Sequence, residues 1–381
     1  MFLSVKGKTI LALILLVVWT GLINVNCGKG ENKTEVIEIG VLLPLTGPAA
    51  TLGKPGLNAV ELAIDEVNAE RQEGEPQIKI IPEDTKAQTG IGVSALKKLY
   101  NADGVKVAVG PLTSSVTLAV APIAERNKFT IISPGSSAPK VSDSGDYIFR
   151  NELSDLEGGR IQATIAMEKL GYKKMACVYI NTDYGSGLHE VFKETFEAKG
   201  GEIVFSEAFL PGTTDFRTVI TKILSETVDA VFLVAIDETV NFVRQRAELG
   251  LKAPIFSTPI FENKAYLDQL GELAEGILYV YYGKFDPDSE DGQIKTFLNS
   301  YMQRFNVPPT YYSALAYDAA KIICLSLKNA NYDVTKVKDE IYKIKNFKGI
   351  SGDTSFDKNG DVSKPVSLKV VKDGRFTFIE E

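Results

Sequence analysis

Short apolar runs that end in small, hydroxyl-bearing loops, each followed by a stretch of helical spacing, recur along this chain. That pattern restricts it to an α/β architecture built on parallel strands. The clearest unit spans 105–139. Its two apolar runs, 107–109 and 129–132, break into Gly110-Pro111-Leu112-Thr113-Ser114-Ser115 and Ser133-Pro134-Gly135-Ser136-Ser137. Between them Val116, Val120, Ile123 and Ala124 recur at helical spacing, so the unit reads strand, loop, helix, strand, loop. One helix is the connection a parallel crossover requires. Both hydroxyl-rich loops then leave the same carboxyl edge of the sheet, where open α/β folds take their ligands. Ser114 or Ser115 is placed to cap the intervening helix, whose N-terminal amides attract an anion.

The same alternation runs from 36 onward. Strand 36–44 ends in Leu45-Thr46-Gly47-Pro48, and Leu57, Val60, Ile64 and Val67 mark the helix after it. A second series begins with the capping pair Ser154 and Glu157. It continues through strand 175–180, the loop Asn181-Thr182-Asp183-Tyr184-Gly185-Ser186-Gly187, and the wholly apolar strand 230–236. A continuous apolar run of that length is buried on both faces of a parallel sheet. At 381 residues the chain exceeds what one core usually serves, so two series imply two lobes. The tail breaks the rhythm, with helices at 293–305, about 311–330 and 337–345, then turns and short strands.

The N-terminus reads as an export signal. Lys6 and Lys8 precede an apolar run from 10 to 25, too short for a comfortable spanning helix, so 1–26 are assigned to a signal peptide. Cys27 follows directly and begins a polar tether, 27–35. Either it is lipidated, anchoring the protein to a membrane, or a plain signal cleavage removes or frees it. The expected location is the periplasm or the outer face of the cell membrane. Cys177 and Cys324 sit in apolar runs and read as buried small hydrophobes.

Several function classes find no support. Net charge is −7 and no Lys/Arg-rich run is present, which argues against a nucleic-acid partner. The single histidine, His189, is read as a surface residue, and no Gly-x-Ser-x-Gly elbow offers it a nucleophile. No zinc spacing, GxGxxG or GxxxxGK[ST] pattern occurs, so neither a metal nor a cofactor is expected, nor an enzyme. Asp357-Lys358-Asn359-Gly360-Asp361 resembles the start of a calcium loop but lacks its closing glutamate, and reads as a turn. What remains is a ring of strand-end loops, 45–53, 110–115 and 133–137 from one series and 181–187, 236–239 and 258–263 from the other. Short hydroxyls and free amides suit a carboxylate, and an acid from the other lobe would suit an amine.

Taken in order, these pieces resemble the type I periplasmic binding proteins, in particular the branched-chain amino-acid (Leu/Ile/Val) binding branch of ABC-transporter receptors. The resemblance rests on Pro44-Leu45-Thr46-Gly47-Pro48, Val109-Gly110-Pro111 with Ser114-Ser115, and Ile132-Ser133-Pro134-Gly135-Ser136-Ser137. Asp183-Tyr184-Gly185, Thr214-Asp215-Phe216, Tyr317-Asp318-Ala319 and Ser355-Phe356-Asp357 extend it. It implies two Rossmann-like lobes joined by a three-crossover hinge, with 36–153 and 284–348 in the first lobe and 154–283 and 349–381 in the second. It also implies a small-molecule ligand, a membrane permease as partner, and a carboxylate held by Ser115, Ser137 and the backbone at Gly135, within the Gly135-Ser136-Ser137 loop. Tyr184 closes from the other lobe. Leu52 stands where some amino-acid-binding members carry an aromatic ring. No tyrosine stands around Ile236–Asp237, where the family's second-lobe tyrosine holds the amine, leaving Asp237 or Glu262 to take it, or no amine to be bound. The expected function is therefore an exported receptor closing on a small carboxylate, an amino acid of the branched-chain class, for transport or for sensing, with a non-amino carboxylate or amide as the alternative ligand.

Overall fold

The computed structural model describes residues 35–379. The expected signal peptide, Cys27 and all of the tether except Glu35 lie outside the described residues. The chain opens with β1 (Val36–Leu43), α1 (Ala50–Ala69), β2 (Gln77–Asp84), α2 (Thr89–Asn101), β3 (Val107–Val109), α3 (Ser114–Asn127), β4 (Thr130–Ser133) and β5 (Ile148–Arg150). These strands form one parallel sheet in the order β2-β1-β3-β4-β5. The second series runs α4 (Asp155–Thr164), β6 (Lys174–Ile180), α5 (Asp183–Ala198), β7 (Glu202–Phe209), α6 (Arg217–Leu224), β8 (Ala230–Val234), α7 (Thr239–Glu248), β9 (Ile255–Ser257), α8 (Lys264–Leu270) and β10 (Leu278–Tyr282).

After β10 come three helices, α9 (Gly292–Phe305), α10 (Tyr311–Asn329) and α11 (Val337–Lys343), then the hairpin β11 (Phe347–Gly349) and β12 (Gly352–Thr354). α10 lies along α1 and touches β3 and β4, so this stretch covers a face of the first sheet. Burial drives the return, because Ala314, Leu315, Ala319, Ile322 and Ile323 are all sealed from solvent against the α1 side. Finally β13 (Val366–Lys372) and β14 (Arg375–Phe378) add antiparallel strands to the second sheet, giving β14-β13-β10-β9-β8-β6-β7. The chain thus passes between the two sheet systems at 151–154, 283–291 and 344–365. Among the described residues, no helix is long and apolar enough to cross a membrane.

In both sheets the chain reverses direction about its first strand. β2 lies on one side of β1 and β3 on the other, and β7 and β8 flank β6 in the same way. Such switch points leave a crevice at the carboxyl ends of the strands. One glycine in each lobe lets the following helix sit hard on its strand end. A Cβ at Gly53 would lie 2.0 Å from the Pro44 carbonyl oxygen, and one at Gly185 would lie 2.0 Å from that of Ile180.

A buried polar network ties the crossings together. The Arg150 guanidinium, fully buried, pairs with Asp361 at 2.7 Å and donates to the Ser137 and Ala138 carbonyls at 3.0 Å each. Asn151 donates to the Leu315 carbonyl and accepts from Lys364 at 2.9 Å, while Lys364 also reaches Ser351 and Thr354. Burial lowers the Lys364 ammonium to about 8. The Asp357–Asp361 stretch is a turn, its Asp357 carboxylate accepting from the Asn359 and Asp361 amides. Cys177 and Cys324 are buried free thiols.

His189 departs from the surface reading. It is buried, stacked on Tyr179 with ring centroids 4.1 Å apart, and its Nε2 lies 3.0 Å from Ser206 Oγ. Strands β6 and β7 cover a helix face that looks polar in sequence, and burial depresses its pKa to about 4, keeping the ring neutral.

Candidate functional site

The two carboxyl edges face one another across a cavity of about 330 Å³. It is lined from the first lobe by Pro48, Ala49 and Leu52, by Lys86, Ala87 and Gln88, by Leu112 to Ser115, and by Gly135 and Tyr312. The second lobe contributes Ile180, Thr182, Tyr184, Pro211, Ile236 and Ile260. That volume stands at the small end of the range of about 300–1,000 Å³ usual for ligand sites.

The first-lobe side is built of donors. α3 begins with Thr113 at its N-cap position, but no side chain caps it, which corrects the expectation for Ser114 and Ser115. Val116 is the first residue whose amide bonds back to the Thr113 carbonyl, so the Ser114 and Ser115 amides precede the helical ladder. The Ser114 hydroxyl oxygen accepts the Ala138 amide at 3.1 Å, and that of Ser115 accepts the Asp183 amide of the second lobe at 3.3 Å. Both hydroxyl protons are thereby left to donate. Thr113 Oγ1 is buried with no hydrogen-bond partner among the described residues. Lys86 is the one charged residue in the lining among the described residues, and it is exposed. Its strand-end loop is gathered by Asp84, which accepts the amides of Leu45, Thr46 and Lys86 and the Thr46 hydroxyl. Those hydrogen bonds hold the Asp84 carboxyl below its ordinary range despite partial burial. Lys86 and Ala87 both adopt left-handed backbone, with φ of 51° and 53°, a costly conformation concentrated at functional walls.

The second-lobe side is apolar. Ile180, Ile236, Ile260 and Pro211 present hydrocarbon, and Tyr184 donates its hydroxyl to Thr258 at 3.1 Å within its own lobe. Burial raises the Tyr184 hydroxyl well above its ordinary value, so it stays protonated.

Of the residues expected from sequence, Ser115, Gly135, Tyr184 and Leu52 meet at this cavity. Gly135 is needed there, since a Cβ would stand 2.9 Å from the Tyr312 ring and 3.1 Å from the Leu112 carbonyl. Four others do not line it. Ser136 is buried beneath its loop, its hydroxyl 2.8 Å from that of Thr117. Ser137 donates to Asp155 at 2.8 Å, behind the cavity wall. Asp237 accepts the Ala49 amide at 3.0 Å, the Thr51 hydroxyl at 2.5 Å and the Tyr266 hydroxyl at 3.2 Å, so its carboxylate bridges the lobes rather than waiting for an amine. Glu262 is buried in an ion pair with Lys369 at 2.8 Å and accepts from Tyr279 at 2.8 Å. The lining residues outside the expected loops are Lys86, Ala87, Gln88, Ile180, Pro211 and Tyr312. Tyr312 arrives from 177 positions beyond Gly135 in sequence, and an isolated isoleucine carries no signal that separates a pocket wall from core. Behind the wall, burial pushes Asp155 up to about 7 and Glu152 up to about 8. Among the described residues no cluster of acids, histidines or thiols is fit to hold a metal.

Two sheet systems presenting their strand ends to one cavity define a two-lobed solute-binding fold. The periplasmic binding protein family matches residues 36–375, and the chain belongs to it. It is 27% identical to Leu/Ile/Val-binding protein homolog 1 of Brucella abortus (strain 2308) over 359 residues, covering 92% of this chain and 95% of that protein. Its fold, that of the type I periplasmic binding proteins, superposes on the branched-chain amino acid transporter substrate binding protein LivJ from Streptococcus pneumoniae, solved with isoleucine. The TM-score is 0.83 and the identity 29%, with 90% of this chain and 98% of that one covered. A solute binding protein from R. palustris in complex with benzoate superposes with the same TM-score, 0.83, at 21% identity, over 90% of this chain and 95% of that one, and shows the shared fold alone.

Proposed function

We propose that this protein is the extracytoplasmic solute receptor of an ABC transporter and that it closes its two lobes on a small carboxylate. The observation that carries this reading is the asymmetry of the cavity. One wall offers α3 amides, serine and threonine hydroxyls and Lys86, all suited to a carboxylate, and the other offers isoleucine side chains suited to an apolar body. The Leu/Ile/Val-binding relatives support a body of about branched-chain size, and kinship with them supports an extracytoplasmic location and delivery to a membrane permease. Export through the 1–26 segment, with or without lipidation at Cys27, belongs to the same reading.

Closure is a hinge motion about the three crossings, with ligand contacts from both walls favouring the closed state. A thermal-shift screen of the purified protein against amino acids, simple carboxylates and amides tests this. A ligand at about 100 times its dissociation constant adds about 2.7 kcal/mol of stability. The reading predicts a clear rise in melting temperature with at least one small carboxylate. Shifts with amides alone would refute it.

A further inference from the structure

Resting on the carboxylate-receptor reading, the structure assigns a narrower class of ligand. We infer that the cavity takes a monocarboxylate with a compact apolar body and no ammonium group beside the carboxylate. An α-amino acid carries its ammonium on the carbon next to the carboxylate. Wherever the carboxylate is held, the ammonium must therefore enter the same enclosed space. A buried ammonium needs an acidic partner or several strong acceptors, because leaving it unpaired is costly.

Among the described residues no acidic side chain lines the cavity. The acids around it are already engaged. Asp84 gathers the loop after β1, Asp155 accepts from Ser137, Asp237 bridges to Ala49 and Thr51, and Glu262 pairs with Lys369. Two carbonyls beside the donor wall are engaged too. Pro111 accepts from Ser133 at 2.6 Å, and Leu112 accepts from Ser136 at 3.2 Å. The wall opposite the donors is formed by Ile180, Pro211, Ile236 and Ile260 with Thr182 and Tyr184, and it offers no acid either. The donor wall and the acid-free wall together select against the zwitterion and for the plain acid.

Isothermal titration of the full mature protein with 4-methylpentanoate and with leucine tests the inference, since the two share carboxylate and side chain and differ only in the ammonium. The expected result is that 4-methylpentanoate binds at least tenfold more tightly. Leucine binding as tightly or more tightly would overturn the inference while leaving the carboxylate receptor standing. If 4-methylpentanamide binds while neither acid does, both the inference and the receptor reading fall.

Discussion

Asp237 offers the most direct handle on closure. Its carboxylate, at the end of β8, takes the Ala49 amide and the Thr51 hydroxyl from the first lobe, beside the cavity residues Ala49, Leu52 and Ile236. Asp237→Ala deletes both cross-lobe bonds at once. A hydrogen bond to a charged acceptor is worth about 1.5–3 kcal/mol net, and this residue is only half-buried, so the low end applies. Together the two bonds contribute about 3 kcal/mol to the closed form, a factor of about 100 in the closed-to-open ratio. The lost contact with Tyr266 lies within the second lobe and weakens both forms alike. Small-angle scattering of the unliganded protein should show a larger radius of gyration for Asp237→Ala, and titration should show ligand affinity reduced by tenfold to a hundredfold. Scattering curves that superpose on the wild type, with affinity kept within twofold, would refute the assignment of Asp237 as an interlobe clasp.

Three further substitutions separate ligand contacts from scaffold. Thr113→Val keeps the shape and removes the unpartnered hydroxyl; it should leave the melting temperature unchanged or slightly higher while costing about tenfold in carboxylate affinity, since a donor to a charged group is lost. Unchanged affinity by titration would remove Thr113 from the site. Gly185→Ala should destabilise the fold by about 1–3 kcal/mol or more, because its methyl would meet the Ile180 carbonyl at 2.0 Å; a denaturation midpoint equal to wild type would contradict the close packing of α5 on β6. Asp155 and Glu152, raised by burial to about 7 and about 8, keep protons in the folded state that the unfolded chain releases near its ordinary value of about 4. Across that window these two groups hold more protons in the folded protein than in the unfolded one, so their contribution to stability falls as pH rises from about 5 to 8. Asp155→Asn should flatten that fall in melting temperature, and an identical slope in the variant would count against it.

The order of strands and helices was legible because each βα unit carries its own period and its own stop, as in 105–139. So were the cavity loops, since parallel crossovers put all strand ends on one edge and hydroxyl-rich turns gather there. The loops that carry Ser115, Gly135, Tyr184 and Leu52 follow from that logic, and the residues themselves from the resemblance to the type I periplasmic binding proteins. What sequence does not reveal is which way a loop side chain turns. Ser136 and Ser137 stand beside Gly135, yet both point into the scaffold, toward Thr117 and Asp155. Asp237 and Glu262 read as free acids only because their partners come from afar, Ala49 and Thr51 in one case and Lys369 in the other. Their engagement leaves both carboxylates out of the cavity lining. His189 shows the same limit, since the strands that bury it lie on either side of its helix in sequence.

A crystal structure with 4-methylpentanoate bound tests the central claim most directly. The carboxylate should lie at the start of α3, within hydrogen-bonding distance of Thr113, Ser114 or Ser115, with the hydrocarbon body against Ile180, Ile236 and Ile260. A carboxylate turned toward the isoleucine wall, or a ligand held outside the cavity between the two sheets, would contradict it.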